Sequence, residues 1–341
     1  MKRGVLASVM ALGVSMAAAT AGAQTPTNVR FSLDWAFQGP QAPFLLAVER
    51  GYFQAEGINI TMDRGFGSGD VPLKIRAGTY DIGFADINPT IRLKAQEPAV
   101  DLVAVAILYD ASPLAVMTLR RQNITRPQDL VGKTLAAPEV DAGRQLFPAF
   151  ARATGLALDS VRWMNVTPQL RETMLAQGQA NAITGFTTSG ILSLRAAGVA
   201  DADIVTLRYQ DFGVALLSSS IITTRAWANA NPRATTGVLR AVFKAHLDAI
   251  ANPDAAIQAL VRRDPLVDPR IERDRMMMSL NELMLTPHVR ATGISEVDPA
   301  RLQAAIDTVR TSFGIERAVP AAEIYTPQFL PPLAERAIPR S

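Results

Sequence analysis

The run from Leu33 to Asp86 constrains the fold more than any other stretch of the chain. It passes from strand through loop to helix twice and then returns to a strand. Each strand ends in a loop carrying polar, aromatic or glycine residues. Such alternation calls for layered α/β structure. Open α/β sheets bind small molecules beyond the carboxyl ends of their strands. The run carries no convincing catalytic set, so a binding protein is expected before an enzyme.

Val29, Phe31 and Leu33 alternate with polar residues, the period of a half-buried strand ending at Asp34-Trp35. Pro43 opens a helix that stops near Gly51, and 58–62 is the next strand. Gly65, Gly67 and Gly69 form a flexible loop before a helix over 71–77. Gly78 is placed to end that helix, and 81–84 is a short strand. A helix over 89–95 and an apolar strand over 102–108 follow. The pattern then repeats, with strands at 134–136, 161–164, 182–184 and 204–207 and helices at 143–154, 168–176 and 191–197. An extended segment over 214–223 leads into helices at 232–251, 253–262, 269–285 and 299–312.

The segment 75–83 is echoed at 175–183, each reading helix end, glycine stop and short buried strand. In this register Phe84-Ala85-Asp86 corresponds to Thr184-Gly185-Phe186. The echo is read either as two similar lobes facing one cleft or as chance likeness of punctuation.

Lys2 and Arg3 precede an uncharged apolar stretch over 5–19, and Ala21-Gly22-Ala23 supplies small residues for cleavage. Residues 1–23 therefore read as a signal peptide cut near Ala23, leaving the protein in the periplasm or secreted. The chain has no cysteine. That removes disulfides, thiolate metal sites, iron–sulfur clusters, a cysteine nucleophile and a lipidated cysteine anchor. No metal and no cofactor are expected. The formal charge of +3 falls to +1 without Lys2 and Arg3, and the arginines are scattered, which is no nucleic-acid footprint.

Three motifs carry a resemblance: 47–58 (AVERGYFQAEGI), 77–86 (AGTYDIGFAD) and 124–133 (ITRPQDLVGK). Together they resemble the periplasmic substrate-binding proteins of ABC importers for nitrate, alkanesulfonates, taurine and thiamine-pyrimidine precursors. The resemblance implies an α/β periplasmic-binding fold of type II, with two α/β lobes, a two-segment hinge and ligand in the interlobe cleft. Lobe 1 would comprise 27–112 plus 216–341 and lobe 2 would comprise 113–215. The hinge would lie near Ser112-Pro113 and Leu216-Leu217. The implied partners are a small-molecule ligand, an ABC permease and its cytoplasmic ATPase, served by a monomer. The chain has no G-x-x-x-x-G-K-[ST] motif and so is not that ATPase.

Trp35 either stacks on a planar ligand or packs beneath its loop. In the pyrimidine-precursor branch an Asp-Trp pair is followed by a histidine; here Asp34-Trp35 is present, but Gln41 stands at the resembling position. Gln41 both donates and accepts hydrogen bonds, suiting an amide or a carboxylate. The loop with Gly67 and Ser68 offers backbone N–H groups at a helix start, an expected anion site. Asp86 and Asp110 either bind an amine or pyrimidine N–H or cap the following helix. Arg144 either clamps a carboxylate or sulfonate or lies on the surface. Phe186 and Phe212 line either the pocket or the lobe core.

An enzyme reading fares poorly, because one relative of this fold that makes the thiamine pyrimidine uses a histidine and a cysteine-rich iron motif. This chain has only His246 and His288, both in C-terminal helical segments. A ligand-sensing module that signals to a membrane receptor remains the other alternative.

Overall fold

The computed structural model describes residues 25–339, so the expected signal peptide lies outside the described residues. Its strands are β1 (Thr27–Ser32), β2 (Ile58–Asp63), β3 (Ile82–Asp86), β4 (Leu102–Ile107), β5 (Leu114–Leu119), β6 (Thr134–Ala137), β7 (Arg162–Asn165), β8 (Ala182–Phe186), β9 (Ile204–Arg208) and β10 (Ser219–Thr224). They form two five-stranded sheets, in the orders β2-β1-β3-β10-β4 and β7-β6-β8-β5-β9. In each sheet the first three strands run parallel and the fourth is antiparallel to its neighbours. The two sheets thus share one topology, and the chain crosses between them after β4 and before β10.

The echo at a spacing of one hundred residues extends through three consecutive elements. Helix Val71–Arg76, β3 and helix Ile87–Gln96 are matched by helix Arg171–Ala176, β8 and helix Thr187–Ala196. The resemblance of 75–83 to 175–183 therefore marks a repeated structural unit. Each unit ends its strand at one side of a shared cleft.

Burial follows from composition. β4 and β5 are buried along their whole length, as expected of apolar strands covered on both faces. Phe31, Phe44 and Phe84 of the first lobe pack with Val238, Phe243 and Leu260 from the long C-terminal helices Pro232–Ala251 and Pro253–Arg263. The helix Pro299–Ser312 instead brings Leu302 and Ile306 against Phe147 and Phe150 of the second lobe. Among the described residues, no helix is long and apolar enough to cross a membrane.

Several expectations change. β5 replaces a stretch for which no strand was anticipated, since its unbroken apolar run lacks the alternation that marks a strand. The helix expected at 191–197 begins at Thr187, and the one expected at 89–95 begins at Ile87. Of the segment 214–223, only the part from Ser219 pairs in a sheet. The helix expected over 269–285 runs as an α-helix from Pro269 to Met278 and widens to a π-helical stretch, Ser279–Met284. There the Ser279 hydroxyl donates back to the Arg275 carbonyl at 3.0 Å.

Candidate ligand-binding site

β1 and β6 each end in a short loop that carries an aspartate, and both aspartates reach one cleft. Asp34 follows β1, while Asp141 caps helix Ala142–Thr154 by accepting from the Arg144 N–H at 2.9 Å. Around them lies a narrow cavity of about 30 Å³ that also touches Trp35, Gln41, Ser68, Arg171, Phe186 and Ser189.

Asp34 and Gln41 are each 4% exposed. The Gln41 amide donates from Nε2 to Asp34 Oδ1 at 2.9 Å. Its Oε1 is buried without a partner in the protein, an uncommon state for a polar atom. Ser68 Oγ donates to Asp34 Oδ2 over a long 3.4 Å. Burial pushes the Asp34 carboxyl up to about 6, against the pull of the Gln41 and Ser68 hydrogen bonds.

Opposite them stands Arg171, only 1% exposed. It donates from Nη1 to Asp141 Oδ2 at 3.0 Å, from Nε and Nη2 to Glu172 Oε1 at 2.9 and 2.6 Å, and from Nη2 to Ser189 Oγ at 3.2 Å. Burial opposes its charge, but Glu172 and Asp141 outweigh that and hold its pKa above the ordinary value. Its guanidinium carbon lies 4.8 Å from the centre of the Trp35 ring, a cation–π contact. Gly185 makes room for this group: a Cβ there would stand 2.2 Å from Arg171 Nη1.

The lobes meet around the cavity. The Gly69 N–H donates to the Val140 carbonyl at 2.9 Å, and Ser189 Oγ donates to Gln38 Oε1 at 3.2 Å. Gly67 is needed here, with φ +153° and a would-be Cβ 2.4 Å from the Val140 oxygen. The Gly69 N–H is spent across the cleft and the Asp70 N–H on Gly67 O at 3.1 Å.

Of the residues singled out in sequence, Trp35, Gln41, Ser68 and Phe186 line the cavity, and Gly67 closes against Val140 beside it. The other four do not line it. Asp86 accepts from the Asn88 N–H at 2.8 Å as a helix cap and from Ser218 Oγ at 2.9 Å. Asp110 is paired with Arg301 at 2.7 Å and accepts from Thr286 Oγ1 at 2.6 Å. Arg144 donates to Ala137 O at 3.0 Å and lies over the Trp163 ring. Phe212 packs edge-on against Phe150 in the core. Gln38, Tyr109, Arg171 and Ser189 line the cavity without having been singled out. The echo was the available signal for Arg171, since it places residue 171 at the first turn of the repeated helix.

The raised Asp34 pKa has a definite sign. A buried carboxyl shifted upward favours the protonated folded form, so its stabilisation is full below about pH 4 and is lost as pH rises through about 6. Relative to Asp34→Asn, the wild type is expected to lose about 2–3 kcal/mol between pH 4 and 7. Urea denaturation across that range measures it; a pH-independent difference between the two proteins contradicts it.

The match to known proteins settles the family. Residues 39–256 fit the family model described as NMT1/THI5 like. The chain belongs to the NMT1/THI5-like family. This family member is 23% identical over 301 residues to the riboflavin-binding protein RibY of Chloroflexus aurantiacus, covering 85% of this chain and 82% of that one. It is 24% identical over 264 residues to the formylaminopyrimidine-binding protein of Halalkalibacterium halodurans, covering 75% and 78%. A relative in Aspergillus parasiticus named 4-amino-5-hydroxymethyl-2-methylpyrimidine phosphate synthase is 26% identical over 260 residues, covering 72% and 73%. Among solved structures, the alkanesulfonate-binding protein SsuA from Xanthomonas axonopodis pv. citri, bound to MOPS, superposes with a TM-score of 0.67 at 16% identity, covering 88% and 98%. The NMT1/THI5-like chain thus has the periplasmic-binding-protein fold, the type expected from its motifs.

Proposed function

We propose that this protein is an exported solute receptor that closes its two lobes around a small planar organic molecule and presents it to an ABC permease. The observation that carries this reading is the lining of the cavity. Asp34, Trp35, Gln41 and Ser68 come from the side of one sheet, and Asp141, Arg171, Phe186 and Ser189 come from the side of the other. A ligand held by both sets gains its full contacts only when the lobes are together, so it shifts the population toward closure. Trp35 and Phe186 supply apolar surface, while Gln41 and Asp34 supply acceptors. In this reading the hinge lies at Ser112-Pro113 and Leu216-Leu217 and divides the chain into 27–112 plus 216–341 and 113–215. Relatives named for riboflavin and formylaminopyrimidine, both planar heterocycles, support the planar class.

Thermal melting with a panel of pyrimidines, flavins, aromatic amides, aromatic carboxylates, sulfonates and nitrate tests it. A ligand present at one hundred times its dissociation constant is expected to stabilise the fold by about 2.7 kcal/mol. No shift with any panel member, turnover of one, or cytoplasmic fractionation of the mature protein would overturn the reading.

A further inference from the structure

We infer that Glu272, which does not line the cavity, is a positioning residue that couples the cavity loop 38–41 to lobe closure through Arg275. This rests on the solute-receptor reading and adds to it the residue through which closure is transmitted to the site. Glu272 lies in the helix Pro269–Met278 and is 6% exposed. Its Oε2 accepts from the Gly39 N–H at 2.6 Å and from Arg275 Nε at 3.0 Å. Gly39 stands between Gln38 and Gln41, both of which line the cavity. The loop rests on the helix backbone without slack. A Cβ at Gly39 would stand 2.2 Å from the Glu272 carbonyl oxygen and 2.5 Å from the Met276 nitrogen. Met276 in turn packs in the core that holds Phe31 and Phe44 of the first lobe.

From the same carboxylate the bonds run to the other lobe. Arg275 Nη1 donates to the carbonyls of Thr188 and Ser189 at 3.1 and 2.7 Å, and Nη2 donates to Ser193 Oγ at 3.3 Å. Ser189 Oγ then donates to Gln38 Oε1 at 3.2 Å, which returns the path to the loop where it began. Glu272, Arg275, Ser189 and Gln38-Gly39 thus form a closed circuit that crosses the cleft twice. Gln38 and Ser189 line the cavity, whereas Glu272 and Arg275 stand behind it. A guanidinium presents its donors as a rigid planar fork, so the carboxylate that takes Nε also sets where Nη1 and Nη2 point. Because one oxygen serves both the loop and the arginine, neither shifts without the other.

The chain has no cysteine, so spin labels can be placed through Ala77→Cys and Gln177→Cys, exposed equivalents in the repeated unit of each lobe. Double electron–electron resonance on the labelled mature protein reports the interlobe distance, without ligand and with excess riboflavin or cytosine. Glu272→Gln keeps an acceptor for the Gly39 N–H and removes the charge. It is expected to raise the open-to-closed ratio at least about tenfold over the labelled parent. Arg275→Met is expected to do the same, and combining the two to add nothing, since both break one path. Distance distributions identical in the parent and Glu272→Gln under every condition overturn the inference, even where the variant melts earlier, because that is a merely structural role. Additive effects in the double variant overturn it too. If Glu272→Gln does not fold, Glu272→Asp, which draws the carboxylate back from the Gly39 N–H, is read the same way. Should neither probe shorten the distance in the parent while the unliganded distributions differ as expected, the inference stands and the failure counts against the receptor reading.

Discussion

Arg171→Met is expected to lower stability by about 3–5 kcal/mol at neutral pH, the usual effect of removing one member of a buried ion cluster. The arginine is 1% exposed and neutralises Asp141 and Glu172, which are themselves buried. Methionine fills much of the same volume, so the loss comes from uncompensated charge rather than from a cavity. The loss should shrink as pH falls. Burial already holds the Asp141 carboxyl above its ordinary range, and protonating it removes a charge that the variant cannot balance. Urea denaturation at pH 7 and pH 5 checks both statements, with Arg144→Met as the comparison. Arg144 has its bonds near the surface, and its replacement is expected to cost under about 1 kcal/mol. Equal losses in the two variants would show that the buried cluster does not hold the second lobe.

Arg275→Met is expected to act on closure as well as on folding, since it also leaves the buried Glu272 without its cation. This buried arginine sits in the C-terminal helix Pro269–Met278 and is paired with Glu272 at 3.0 Å. From there it reaches the helix Thr187–Ala196, donating to the carbonyls of Thr188 and Ser189 at 3.1 and 2.7 Å and to Ser193 Oγ at 3.3 Å. Those three bonds join the lobes and exist only when they are together. Charge-assisted hydrogen bonds contribute about 1.5–3 kcal/mol each, so losing them should reduce the closed-to-open ratio at least about tenfold. Small-angle scattering should report a larger radius of gyration for the unliganded variant, and stopped-flow should report faster ligand release. Unchanged values for both would mean that Arg275 does not hold the lobes.

Much of the site's frame was legible in the chain because it is written in local pattern. Trp35, Gln41 and Ser68 stand at strand ends and loop starts, and their place at the cleft follows from the sheet's polarity. Asp110 and Asp86 also stand at strand ends, yet they serve as an ion-pair partner and a helix cap. Position at a strand end brings a residue to the rim. Whether it turns to the cavity depends on which donors the neighbouring elements present. Arg144 was attractive as a cation at a helix start, but Asn165 and the Trp163 ring draw it away. Arg171 carried no local mark of burial, since nothing near it in sequence shows that Asp141 will come within 3.0 Å.

By itself, then, the sequence determined alternating α/β structure with a helix-end, glycine and strand pattern that recurs after one hundred residues. Period-2 and helical patterning, proline starts and glycine stops act over a few residues and need no partner. The run from Leu33 to Asp86 was enough to place a binding edge. Only the tertiary structure decided the charge of that edge. Asp141 and Arg171 are thirty residues apart and pair only once the loop after β6 and the helix Arg171–Ala176 pack on one sheet, and Arg171 then meets Trp35 of the other lobe across the cleft. Electrostatic character is a property of distances between side chains, and those distances are set by packing.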